Sequence, residues 1–131
     1  MKAVKRSLQV LTGITAALAF GLISQPVFAD GAPTKMMNGV LVNTSGMTLY
    51  TFDKDAKGAG KSACNGKCAA AWPPLMATAS DKASGDYSII TREDGSKQWA
   101  YEGKPLYLWV KDKKPGDMTG DNYKKIWHVV K

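Results

Sequence analysis

The chain has 131 residues, 44% of them hydrophobic and 22% charged, with 18 Lys and Arg against 11 Asp and Glu for a formal net charge of +7. That length and composition fit one globular domain with a modest core, and two cysteines are too few for a disulfide-dense scaffold. Past residue 29 the positive charge rests on dispersed lysines with Arg92 as the single arginine, which argues against nucleic-acid binding, where basic residues cluster and arginine leads.

Residues 1–29 have the pattern of a cleaved signal peptide: Lys2, Lys5 and Arg6, an apolar run from Leu8 to Ile23, and Val27-Phe28-Ala29 before the expected cut. The run is interrupted by polar residues and glycine and is short for a membrane anchor. Losing those three bases lowers the formal net charge from +7 to +4. No cysteine stands at the expected cut, so no lipid anchor is expected there. The product is expected to be periplasmic or secreted, without stable membrane insertion, as a single β domain over 30–131.

Residues 30–38 read as a leader. Val40–Thr44 and Met47–Phe52, joined by Ser45-Gly46, read as a β-hairpin. Cys64 and Cys68 follow, and in an oxidising compartment two nearby cysteines with no third partner are expected to pair, Asn65-Gly66 supplying the turn. Ala69–Ala71 is expected to form a short helical turn, stopped by Trp72-Pro73-Pro74. Residues 77–85 read as a loop between halves. Asp86–Thr91 is the next strand, and Asp94-Gly95 is a hairpin turn. A second hairpin is expected from Gln98–Tyr101 and Pro105–Val110 about Glu102-Gly103, and Ile126–Val130 as the last strand. The fold class is mainly β: a small antiparallel domain of two tandem hairpin-containing repeats, about 39–76 and 86–131, with at most a short helical turn after the cysteine pair.

The repeats are announced by near-identical stretches, Gly46-Met-Thr-Leu-Tyr50-Thr-Phe52-Asp-Lys-Asp55 and Gly103-Lys-Pro-Leu-Tyr107-Leu-Trp109-Val-Lys-Asp112, set 57 residues apart. In an extended strand alternate side chains share a face, so Tyr50 pairs with Phe52 and Tyr107 with Trp109. Leu106, Leu108 and Val110 make the second copy apolar on both faces, the mark of a central strand. Thr51 and Asp53 place the first copy nearer an edge. Asp55 and Asp112 are expected to open turns by accepting backbone N–H groups two residues on. The motif thus reads as scaffold.

The doubled Tyr-x-(Phe/Trp/Tyr)-x-x-Asp pattern resembles the bacterial secreted-repeat, or predicted-lipoprotein, family that carries this motif. Cys64-Asn-Gly-Lys-Cys68 before Trp72-Pro73-Pro74, Arg92-Glu-Asp94-Gly95-Ser-Lys-Gln98, and Tyr101-x-Gly103-x-Pro105-Leu106-Tyr107 extend the likeness over almost all of the chain past the signal. The resemblance implies a small exported protein without an established activity. Many members look like lipoproteins, whereas this chain lacks the lipidated cysteine.

Familiar chemistries find little support in the residues. Cys64 and Cys68 are spaced Cys-x-x-x-Cys, not Cys-x-x-Cys, outside any βαβ pattern, and covalent haem attachment would need Cys-x-x-Cys-His. His128 is the sole histidine, too few for a zinc set or a nucleophilic triad. Asp53–Gly58 opens like a calcium loop, but Lys57 occupies a ligand position and Cys64 the twelfth. Scattered methionines (Met36, Met37, Met47, Met76, Met118) read as core filler. No catalytic residue, cofactor or metal is therefore expected. The leading expectation is a non-enzymatic binding or envelope-associated module whose partner is an envelope protein or a small ligand. The alternative is a periplasmic redox or metal/haem-handling accessory using the cysteine pair or a Met/His site.

Overall fold

A computed structural model describes residues 31–131; the signal-peptide reading falls outside these residues. Small antiparallel sheets dominate. Strands β1 (Thr34–Met37) and β2 (Val40–Asn43) form a hairpin with Met37 opposite Val40. Asn38 and Gly39 both take positive φ, 53° and 84°, as a tight two-residue hairpin turn requires. The expected leader is therefore half strand: an Asn-Gly turn folds it back onto β2. β2 then meets the next segment through the Val42–Thr48 bridge. Asn43 Oδ1 accepts the Ser45 and Met47 N–H groups and closes the turn.

Strand β3 (Tyr50–Phe52) precedes helix α1 (Lys67–Ala71) and strand β4 (Met76–Ala77). Strands β5 (Tyr87–Thr91), β6 (Lys97–Tyr101) and β7 (Lys104–Pro105) follow, with β8 (Trp127–Val129) last. β5 pairs along one side of β6 in full register, Tyr87 opposite Tyr101 through Thr91 opposite Lys97, about the expected Asp94-Gly95 turn. β4 and β7 lie end to end on the other side of β6. The expected linker gives up Ala77 to β4, and residues 78–85 cross between the halves.

The two repeats exchange their ends. β8, the tail of the second repeat, pairs with β3 of the first, Phe52 opposite Trp127. In return Pro73 and Leu75, the tail of the first repeat, bond Leu108 and Leu106 of the second. The two motif segments meet at a bridge in which Tyr50 and Tyr107 exchange backbone bonds of 2.8 and 2.9 Å. Matched bonds surround that point. Leu49 N–H donates to Leu41 and Leu106 N–H to Trp99; Leu41 N–H donates to Val130 and Trp99 N–H to Leu75. The result is an approximate twofold relation about the Tyr50–Tyr107 bridge.

This arrangement corrects the edge assignment of the first copy. β3 is flanked by β8 on one side and Tyr107 on the other, and Thr51 is buried. The tail from the other repeat pairs along one edge of β3 and so closes it. Tyr107 is likewise flanked, by Tyr50 and Pro74, the central position its two apolar faces imply. One core cluster gathers Tyr50, Phe52, Cys64, Trp72, Tyr107, Trp109 and Trp127. The opposite face packs Leu41, Leu49, Leu75, Trp99 and Leu106.

Candidate functional site

Each motif tyrosine is bonded to the aspartate of the other repeat. Tyr50 Oη donates to Asp112 Oδ2 at 2.6 Å, and Tyr107 Oη donates to Asp55 Oδ2 at 2.6 Å. All four residues are buried, both tyrosines at 0% exposure. The second oxygen of each carboxylate reaches into the loop that follows its own strand. Asp55 Oδ1 accepts Ala63 N–H at 2.6 Å, while Asp112 Oδ1 accepts Thr119 N–H at 2.9 Å and Thr119 Oγ1–H at 2.7 Å.

The expectation of aspartates bonded to backbone two residues on is thus corrected. The turns themselves are closed by backbone bonds, Asp55 N–H to Phe52 at 3.0 Å and Asp112 N–H to Trp109 at 3.1 Å. That leaves both carboxylates free to bind seven and eight residues further on and across the repeat boundary.

Burial raises both tyrosines well above their ordinary range, and the hydrogen bonds to Asp112 and Asp55 act in the same sense. Burial also pushes the Asp55 carboxyl up, against the lowering effect of the Tyr107 and Ala63 bonds and the Arg92 charge. Ser62 Oγ lies 2.5 Å from the Tyr107 hydroxyl, and Gly120 N–H donates to the Tyr50 hydroxyl at 3.2 Å. Every strong donor and acceptor of the motif is therefore occupied from within the chain.

Between the two tyrosine–aspartate pairs runs a stack of four rings. Trp109 lies 3.9 Å from Trp72, Trp72 lies 3.8 Å from Trp127 at an interplanar angle of 2°, and Trp127 lies 4.1 Å from Phe52. Tyr50 meets Trp72 edge-on at 5.3 Å and Tyr107 meets Trp127 edge-on at 5.2 Å, an arrangement favoured by the ring quadrupoles. Tyr123 leans over Trp109 at 4.9 Å and over Trp72 at 5.7 Å and is 39% exposed. Trp72 and Trp127 recur after the two motif copies in the sequence, but their stacking on each other is not readable there. Their places 22 and 20 residues after the motif tyrosines were the available signal.

Cys64 and Cys68 form a disulfide, with Cα atoms 5.2 Å apart and Cys64 fully buried. The turn uses Gly66 at φ 59° and leads directly into α1, which begins one residue before Cys68. Arg92 holds this loop. Its Nη1 donates to Gln98 Oε1 at 2.7 Å and its Nη2 to the Cys64 carbonyl at 2.6 Å and to Asn65 Oδ1 at 3.2 Å. Among the described residues no carboxylate forms an ion pair with Arg92, although it is 7% exposed. In the sequence Arg92 stands out as the single arginine past residue 29 and as the start of the Arg92–Gln98 stretch, but its burial and its hold on the disulfide loop are not readable there. A cleft of about 360 Å³ opens beside it, lined in part by Asn65, Gly66, Pro74, Met76, Arg92 and Glu93.

His128 is half-buried, its Nε2 2.9 Å from Asp53 Oδ2 across the β3–β8 pair. Among the described residues no three His, Cys, Asp or Glu side chains gather as a metal site, and no helix is long and apolar enough to cross a membrane.

Residues 35–76 and 88–131 each match a family model described as a secreted repeat of unknown function. No curated protein and no solved structure matches the chain.

Proposed function

The chain belongs to the family of secreted repeats of unknown function, and on that premise we propose that it is a non-enzymatic binding module of the cell envelope, periplasmic or secreted. The observation that carries this reading is the internal use of the motif. Tyr50, Asp55, Tyr107 and Asp112 are buried and bonded in pairs across the repeats, so the conspicuous residues are engaged in holding the fold together. The partner surface is then sought where the repeats differ. The cleft beside Arg92 lies there, between the disulfide loop of the first repeat and the β5–β6 turn of the second. A polar wall and an exposed Met76 give it the mixed character of a recognition surface.

Capture from envelope extract tests the reading, with wild-type bait compared with bait carrying Met76→Asp and Glu93→Lys. Both side chains are exposed, so the variant is expected to fold. A specific envelope protein or small ligand retained by wild type and lost by the variant is the expected result. Equal capture by both baits would remove the cleft from the account.

A further inference from the structure

We propose that the aromatic interior is an electron relay, which lets the protein take up one oxidising equivalent at its surface and hold it on a buried tyrosine. The path is continuous in space. It starts at Tyr123, which is exposed and in ring contact with Trp109 and Trp72. It runs through Trp109, Trp72 and Trp127 at 3.9 and 3.8 Å between ring centres. It ends on Tyr50, edge-on to Trp72, and Tyr107, edge-on to Trp127. Indole and phenol are the side chains that surrender an electron most readily, and near-contact rings exchange electrons faster than rings separated by aliphatic packing.

The two ends have what such a path needs in order to stop. Oxidising a phenol makes it strongly acidic, so a stable phenoxyl radical requires a base already in place. Tyr50 and Tyr107 each donate a 2.6 Å hydrogen bond to a buried carboxylate, within direct proton-transfer reach. An oxidised transition-metal complex that meets the exposed Tyr123 ring takes one electron from it or from Trp109 and is itself reduced by one unit. Electrons shift outward along Trp109, Trp72 and Trp127 until Tyr107 or Tyr50 supplies the last one. Its phenolic proton moves along the existing bond to Asp55 or Asp112. A neutral phenoxyl radical and a carboxylic acid remain, and the oxidant has gained one electron. Returning an electron reverses each step, so nothing is consumed. At the Tyr107 end, burial already pushes the Asp55 carboxyl toward holding a proton.

The test is photochemical oxidation of the purified full chain by a ruthenium polypyridyl sensitiser with an external electron acceptor, read by time-resolved absorption and electron paramagnetic resonance. Wild type is expected to give a tyrosyl radical protected from ascorbate, formed more slowly in deuterium oxide. Tyr50→Phe with Tyr107→Phe is expected to lose that signal and leave a tryptophanyl radical. Tyr123→Leu is expected to slow radical formation without changing its final identity. If the double variant does not fold, ascorbate protection and the deuterium effect on wild type still decide. A wild-type tyrosyl radical quenched by ascorbate as fast as free tyrosine would overturn the proposal. So would a signal indifferent to replacement of Tyr50 and Tyr107.

Discussion

Alkaline pH should unlock this fold through two residues. Tyr50 and Tyr107 hold their protons more tightly folded than unfolded, chiefly because burial penalises the phenolate and then because each proton bridges to a carboxylate. A raised folded value means that the stabilisation is fully present below the unfolded tyrosine value of about 10 and is lost as pH rises above it. In that window the unfolded chain releases two protons that the folded chain keeps. Each contributes about 1.4 kcal/mol per pH unit, so the pair contributes a slope of about 2.7 kcal/mol per unit. Against a total stability of about 5–15 kcal/mol, two units consume much of the margin. Urea unfolding followed by circular dichroism at steps above about pH 10 measures the slope. The Tyr50→Phe, Tyr107→Phe double variant keeps the ring packing and should be shallower by about 2.7 kcal/mol per unit. Equal slopes would refute the reasoning. So would ultraviolet absorbance showing all five tyrosines ionised while the circular dichroism remains native.

Three further changes probe other parts of the scaffold. A Cβ on Gly120 would lie 2.7 Å from the Trp72 ring and 3.0 Å from Trp109, so Gly120→Ala should cost about 1–3 kcal/mol and alter the near-ultraviolet circular dichroism of the stack. Arg92→Leu strands the Gln98 and Cys64 acceptors and should lower stability by about 2–3 kcal/mol in urea titrations. Cys64→Ser with Cys68→Ser opens a very short loop and should cost only about 2 kcal/mol, with the fold retained by the same assay.

The building unit was legible because the repeat writes its own spacing, and so was the burial of Tyr50, Phe52, Tyr107 and Trp109, because alternation fixes faces. The cysteine pair and the Asp94-Gly95 turn could be read because both are local. A repeat, however, says nothing about which copy its strands pair with. The exchange of tails, the partners of Asp55 and Asp112, and the protected position of β3 all follow from that missing information. The Trp72–Trp127 stack joins residues 55 apart, beyond any local pattern. Arg92 is charged, and charge predicts exposure; only the carbonyl of Cys64 and the amides of Asn65 and Gln98 make its burial tolerable. The strand at Thr34–Met37 was legible in principle, since Asn38-Gly39 is a hairpin signal as strong as Asp94-Gly95.

The central claim is that the doubled motif locks one repeat to the other. Two double-mutant cycles under urea unfolding test it, one on Tyr50→Phe with Asp112→Asn and one on Tyr50→Phe with Asp55→Asn. The account predicts a coupling energy of about 1–3 kcal/mol across the repeats and about zero within the first repeat. Coupling of Tyr50 to Asp55 and none to Asp112 would contradict it.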